Sequence, residues 1–158
     1  SDMVVRPLQS KDILHCADIM LRNPLWQRYQ VTLESARHRL ETGFNNQASI
    51  FVAEVENKVT GFIWFVEKGT FSRSGYIMLI AVDPNLHYSG VGQALMAHAE
   101  GLMFQTSKDI FLLVSDFNLS AQTFYSRLGY AQCGAIPDYV MPGISELIFR
   151  KSRPAFVE

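Results

Sequence analysis

Apolar residues recur along this chain at two spacings, every second position or every third to fourth, and the switches between the two mark out its elements. Residues 3–7 are a short apolar run closed by Pro7, which suits a strand at or near a sheet edge. Ser10 can cap a helix with Ile13, Ala17, Met20 and Leu21 on one face, ended by Asn23 and Pro24. Residues 33–42 bring Leu33, Ala36 and Leu40 to one side and predict a helix stopped by Gly43. The runs 50–55 and 59–67 are rich in β-branched and aromatic residues, and Glu56-Asn57-Lys58 between them is the right length for a hairpin.

The run 76–82 carries no charge and predicts a strand covered on both faces. Residues 89–105 then repeat apolar positions at helical spacing through Val91, Leu95, Ala99 and Leu102, and 110–114 is again continuously apolar. Strand, helix and strand at this spacing predict a right-handed parallel crossover. A helix over 119–128 turns Ala121, Phe124 and Leu128 inward and stops at Gly129. Closing strands are expected at 130–136 and 146–150, joined by a loop that Pro137, Pro142 and Gly143 demand. No repeat, low-complexity segment or linker interrupts the pattern.

At 158 residues, with 48% hydrophobic and 18% charged residues, the chain is expected to form one domain over 1–158, in which Ser1 and Asp2 ahead of Met3 read as an expression remnant without a role. A net charge of -1 and scattered basic residues give no footprint for nucleic acid. No run approaches the roughly 20 apolar residues of a membrane helix, and no leader pattern opens the sequence, so a cytoplasmic protein without a membrane partner is expected. Cys16 and Cys133 lie far apart with no ligand partners at metal spacing. Both read as buried thiols, and no metal is expected.

The most informative stretch is "HYSGVGQALM", in which Gly90 and Gly92 close a loop and open a helix. A helix start exposes about four unpaired N–H groups and a partial positive charge, so it attracts an anion. Glycines there remove side chains that would hold a phosphate away, although an isolated pair also serves close packing. No Gly-Lys-Ser/Thr follows, and the third glycine of the dinucleotide fingerprint is missing. What the region resembles is motif A of the GNAT superfamily of acyl-CoA-dependent N-acyltransferases: "LIAVDPNLHYSGVGQALM" sets Val82, Pro84, Gly90 and Gly92 in its register. The stretch "SDFNLSAQTFYSRLGY" resembles motif B, with Asn118, Ala121, Phe124, Tyr125, Gly129 and Tyr130 in place.

This resemblance implies an α+β, three-layer fold with a mixed, mostly antiparallel sheet, one splayed parallel strand pair and about four helices on both faces. It implies acetyl-CoA as cosubstrate and a small-molecule or peptide amine as acceptor, attacked directly in a ternary complex, and it leaves a homodimer open. The pantetheine arm would lie against the main chain of Ile80, Ala81 and Val82, with the Ile80 amide facing the thioester oxygen, where negative charge develops. The diphosphate would sit on His87, Tyr88, Ser89, Gly90, Val91, Gly92 and Gln93. Asn118, Ala121, Phe124 and Tyr125 would complete the coenzyme surface, with Asn118 also suited to capping the helix and Tyr125 to protonating the departing thiolate.

Two positions depart from the family pattern. His87 stands where Arg or Gln is usual, and Tyr76 stands where many members carry the Glu that serves as general base. Glu67, Asp116 or a water chain remain as proton acceptors. Trp26, Tyr29 and Tyr139 could line an acceptor slot or pack in the core. A non-catalytic acyl-CoA-binding module is the alternative function, and a nucleotide-binding α/β domain a third.

Overall fold

The computed structural model describes residues 2–86 and 90–154. Hydrogen bonding orders seven strands as β1-β2-β3-β4-β5-β7-β6: β1 (Met3–Pro7), β2 (Ser49–Val55), β3 (Lys58–Thr70), β4 (Ser74–Val82), β5 (Asp109–Ser115), β6 (Ala131–Ile136) and β7 (Glu146–Ser152). β4 and β5 run parallel, whereas β1–β2, β2–β3, β5–β7 and β6–β7 are antiparallel. Among the described residues five α-helices accompany the sheet: α1 (Ile13–Leu21), α2 (Pro24–Arg28), α3 (Leu33–Asn45), α4 (Val91–Met103) and α5 (Leu119–Arg127). This is the expected α+β class with its mixed sheet and parallel pair. None of the described helices is long and apolar enough to cross a membrane. The chain divides into two compact units, one of Ser1–Phe65 with Leu79–Ala99 and one of Val66–Met78 with Glu100–Glu158.

The first unit is built on the β1–β2–β3 meander and helices α1 to α3. Val52, Val55, Phe62, Ile63 and Phe65 from the strands and Ile19 and Leu40 from the helices have almost no exposed surface. Each such side chain contributes about 1.5–3 kcal/mol of transfer free energy relative to exposure. Entry into α1 differs from the expectation that Ser10 caps it. Residues Ser10–Asp12 form a 3-10 turn, and Asp12 accepts the Gln9 amide at 2.8 Å while receiving Arg6 Nη1 at 2.7 Å. A buried carboxylate that also neutralises Arg6 outcompetes an exposed serine for the helix entry.

Asn23 and Pro24 end α1 as expected, but Pro24 also opens α2, because the first helical position needs no N–H. Thr32 caps α3 through a reciprocal pair of hydrogen bonds with Ser35. The expected stop at Gly43 is not where α3 ends; the helix runs on to Asn45. Gly43 is buried, and a Cβ there would lie 2.7 Å from Trp64 Cζ2. It is a close-approach glycine, and its role is contact with the indole.

The second unit holds the outer part of the β3–β4 hairpin, the start of β4, and β5, β7 and β6 with α5. β4 and β5 are in register from Gly75 with Ile110 to Ile77 with Leu112. A Cβ at Gly75 would meet Met103 Sδ at 2.6 Å, so the strand and the end of α4 approach closely there. The expectation that β4 is covered on both faces gives way to alternation along the strand: Ile77, Leu79 and Ala81 are buried, while Tyr76, Met78, Ile80 and Val82 are half-buried. Successive strand side chains point oppositely, and an uncharged run by itself does not distinguish two sealed faces from one.

Gly129 ends α5 with φ +97°, where the Tyr130 amide donates to the Tyr125 carbonyl at 3.0 Å. Inside this unit the Tyr130 hydroxyl donates to Glu100 at 2.9 Å, and Lys151 pairs with the same carboxylate at 2.7 Å. The cysteines divide. Cys16 has no exposed surface, and burial, followed by the nearby Asp12 charge, pushes its thiol up to about 12. Cys133, expected to be buried, is exposed: it lies where the β6–β7 register shifts between Gln132 and Gly134, on a strand at the end of the sheet order.

Candidate active site

In the first unit the end of β4 is fixed from several directions. Gly61 on β3 comes so near that a Cβ would stand 2.8 Å from the Ala81 carbonyl oxygen and 3.2 Å from Val91 Cγ1. One residue past the strand, the Asp83 amide donates to the Thr60 carbonyl at 2.8 Å. The buried Asp83 carboxylate accepts the Asn85 amide at 2.9 Å and Arg22 Nη1 at 3.0 Å, which sets the turn through Pro84. Asn23 Nδ2 donates to the Val82 carbonyl at 3.3 Å and to the Ile19 carbonyl at 2.8 Å. Val82 main chain thus has one acceptor direction engaged, and a carbonyl has two. The parts that Arg22 and Asp83 play here, and the reach of Asn23 to Val82, escaped the sequence reading, although the Asp-Pro-Asn turn signal was present in the sequence.

Gly90 adopts φ +83° and its carbonyl accepts the Ala94 amide at 3.0 Å, the first bond of α4. An added Cβ there would meet only Gln93 Oε1, at 4.0 Å, so conformation and not crowding calls for glycine. Helix geometry leaves the amides of Gly90, Val91, Gly92 and Gln93 without intrahelical acceptors. That is the donor set a phosphate needs, and it fits the diphosphate of a coenzyme A molecule. The Val91 side chain is buried in the core, so only its main chain is available to a ligand. His87, Tyr88 and Ser89, named as phosphate-loop residues from the sequence, lie outside the described residues.

In the second unit the turn after β5 leads into α5. The Asn118 amide donates to the Ser115 carbonyl at 3.0 Å, and Asn118 Oδ1 accepts the Ala121 amide at 3.3 Å, so the capping role expected of it is met. Gln122 Nε2 also donates to Ser115 O, at 3.2 Å. Ala121 and Phe124 are half-buried along α5.

Tyr125 is 8% exposed, with its ring edge-on to Phe124 at 5.3 Å and to Tyr130 at 6.0 Å between centroids. Burial raises its pKa well above that of an ordinary phenol, so it holds its proton through the neutral range. Its hydroxyl makes no hydrogen bond among the described residues, in contrast to Tyr130, whose hydroxyl is committed to Glu100. Burial, followed by the Glu100 charge and hydrogen bond, raises the Tyr130 pKa too. One tyrosine of this pair is held as a strut, and the other bonds to none of the described residues through its hydroxyl.

The carboxylates named from sequence are at the surface. Glu67 is exposed, and Asp116 is exposed with its Oδ2 accepting the Ser145 amide at 3.0 Å. Sequence reasoning missed Glu146, the first residue of β7, which is 6% exposed and has Ser115 Oγ 3.1 Å from Oε2 and 3.3 Å from Oε1. Trp26 and Tyr29, on and just after α2 in the first unit, are half-buried, whereas Tyr139 in the second is 60% exposed.

A mixed sheet with a parallel pair, a glycine-opened helix start and a capped helix bearing a buried phenol are the features that the sequence resemblance called for. The chain belongs to the acetyltransferase (GNAT) family, whose model matches residues 16–130. It is 30% identical over 107 residues to the uncharacterised N-acetyltransferase MJ1530 of Methanocaldococcus jannaschii, a match covering 66% of each chain. It is 31% identical over 107 residues to the mycothiol acetyltransferase of Salinispora tropica, covering 64% of this chain and 34% of that one. The matches thus span just under two thirds and about one third of these relatives' lengths. In fold it resembles yncA of Salmonella typhimurium, solved with its cofactor acetyl-CoA, with a TM-score of 0.75, 15% identity and coverage of 100% of this chain and 98% of that one.

Proposed function

We propose that residues 1–158 form one N-acetyltransferase domain that moves an acetyl group from acetyl-CoA to a primary amine by direct attack in a ternary complex. The observation that best supports this is Tyr125, a phenol with a buried ring, a raised pKa and a hydroxyl that bonds to none of the described residues, at the position where the family places a proton donor to the departing thiolate. Neither cysteine suits a covalent route: Cys16 is buried with its thiol held protonated, and Cys133 is on a strand outside both motifs.

By family resemblance the amides from Gly90 to Gln93 hold the diphosphate, and the main chain of Ile80 to Val82 receives the pantetheine arm. Bound acetyl-CoA supplies an activated acyl carbon. The protein supplies fixed dipoles, with the Ile80 amide meeting the charge that develops on the thioester oxygen, and Tyr125 gives its proton to sulfur. Asn118 spends Oδ1 on its helix cap, which leaves its amide nitrogen for the arm. The acceptor class stays as broad as a small-molecule or peptide amine; the mycothiol acetyltransferase relatives represent the first kind.

The test is calorimetry with acetyl-CoA and desulfo-CoA, followed by thiol release across a panel of amines and N-terminal peptides. Binding with turnover on at least one acceptor is expected. Gly90→Ala is expected to weaken coenzyme binding about tenfold, because φ +83° costs an L-residue roughly 1–2 kcal/mol. Binding with no thiol release across the panel would select a coenzyme-binding module instead, and absence of binding would refute the reading.

A further inference from the structure

In the second unit the helical stretches lie on one face of the sheet. A Cβ on Gly75 would meet Met103 Sδ, at the end of α4, and also Ile110 Cγ1. The outer side of α5 forms a groove with Gln132 and Phe149, and Phe149 is the register partner of both Gln132 and Leu112. Strand side chains alternate, so Gly75, Ile77, Ile110, Leu112 and Phe149 share the helical face. Tyr76, Met78, Phe111, Leu113, Ile148 and Arg150 share the other, and among the described residues no helix of this unit lies over it.

That second face is apolar and half-open. Tyr76 is the register partner of Phe111 and Leu113 that of Ile148, and these four, with Met78, are half-buried. Phe71, in the turn between β3 and β4, is 82% exposed and sets its ring edge-on to Phe111 at 6.1 Å. Arg150, the register partner of Phe111 on β7, is exposed at the rim, whereas Glu146 farther along β7 is buried. The accessible charge on these rows is therefore positive. Register between β4 and β5 runs from Gly75 with Ile110 to Ile77 with Leu112 and stops there, although β5 continues to Ser115. The strands thus part at Met78 and Leu113, the next residue on each, and both belong to the open face.

We propose that this face selects the acceptor, a primary amine carrying an aromatic or branched apolar group, and that Met78, Phe111, Leu113 and Ile148 set the preference. The assignment rests on the acetyl-transfer reading above, in which the pantetheine arm enters the same strand pair. Tyr125 belongs to a helix on the opposite face, so the thiolate it protonates departs on one side of the sheet and the amine comes from the other. An apolar group settling on these side chains leaves water, which is the driving force. An aromatic Tyr76 replaces the acid that would draw in an ammonium, and Arg150 repels a second cationic centre on the acceptor. The face therefore favours a monoamine with an apolar body over a polyamine.

The experiment follows thiol release from acetyl-CoA with ethylamine, 2-phenylethylamine and 1,3-diaminopropane, and with short peptides beginning in Gly or Phe, which separate a free amine from a peptide as the source of the apolar group. For whichever source is used, the phenyl-bearing acceptor is expected to show a kcat/KM about tenfold or more above its small counterpart, the scale of filling a hydrophobic pocket. The diamine should stay below 2-phenylethylamine. Leu113→Ala should reduce the ratio of phenyl to small acceptor about tenfold, chiefly through KM, a readout that a general loss of structure leaves unmoved. Met78→Gln keeps the side-chain length and should shift the ratio the same way, which guards against an alanine variant that fails to fold. A parent that prefers ethylamine or the diamine, or variants that lower all acceptors equally, would overturn the assignment while the acetyl-transfer reading stands. A parent that neither binds acetyl-CoA nor releases thiol with any amine would overturn both.

Discussion

Tyr125 and Tyr130 touch ring to ring, yet replacing each by Phe should give opposite outcomes. Tyr125→Phe keeps the buried ring and its packing on Phe124 and removes a hydroxyl that bonds to none of the described residues. Its cost in stability should stay within about 0.5 kcal/mol. Tyr130→Phe deletes a 2.9 Å hydrogen bond to the Glu100 carboxylate in a nearly closed setting. Such bonds are worth roughly 1.5–3 kcal/mol, and at about 2–4 °C per kcal/mol for a chain of this size the melting temperature should drop by several degrees. Lys151 remains on Glu100, which holds the loss toward the lower end.

Turnover should sort the other way. Loss of a general acid costs about 100-fold or more, equal to roughly 2.7 kcal/mol of barrier, and single-turnover thiol release reads it without interference from product release. Because burial raises the Tyr125 pKa, its ionisation removes activity only above the ordinary phenol value of about 10, so no Tyr125-dependent decline belongs in the neutral range. A Tyr125→Phe protein with parental single-turnover rate, or one destabilised as much as Tyr130→Phe, would refute the assignment of donor and strut.

Three further outcomes test the frame around the site. Gly43→Ala sets a methyl 2.7 Å from Trp64 Cζ2 and should cost about 1–3 kcal/mol in a urea melt, against the small gain that alanine gives an open helix position. For Asp12, burial favours the neutral form, but the Arg6 hydrogen bond, the Gln9 amide and the Arg6 charge outweigh it and hold the carboxyl below its usual pKa. Its contribution is therefore complete above the ordinary carboxylate value of about 4 and lost as pH falls through the lower folded value; urea midpoints taken down to about pH 3 should decline, and less steeply in Asp12→Asn. An aromatic disulfide reagent should titrate Cys133 alone in the native protein and Cys16 only after denaturation.

What the sequence disclosed and what it hid divide along a physical line. Gly129 and Asn118 were legible because their tasks are local: a left-handed residue ending a helix, and a side-chain oxygen reaching an amide three residues on. The parallel crossover was legible because apolar spacing changes period on either side of it. Gly43 was misread because a glycine ending a helix and a glycine under an indole look alike until Trp64, on a different element, is in place. The same holds for Cys133, whose exposure depends on a register shift in β6 and on that strand's place at the end of the sheet order, neither of which its neighbours encode.

Glu146 is the sharpest instance. In sequence it is a glutamate at the start of a closing strand, no different from any solvated strand end. Its burial arises because β7 enters the sheet order between β5 and β6, which pairs Glu146 with Ser115 on one side and Ile136 on the other. A motif records residues that meet the ligand through fixed local spacing. A pairing made between strands far apart in the chain leaves no such spacing to read.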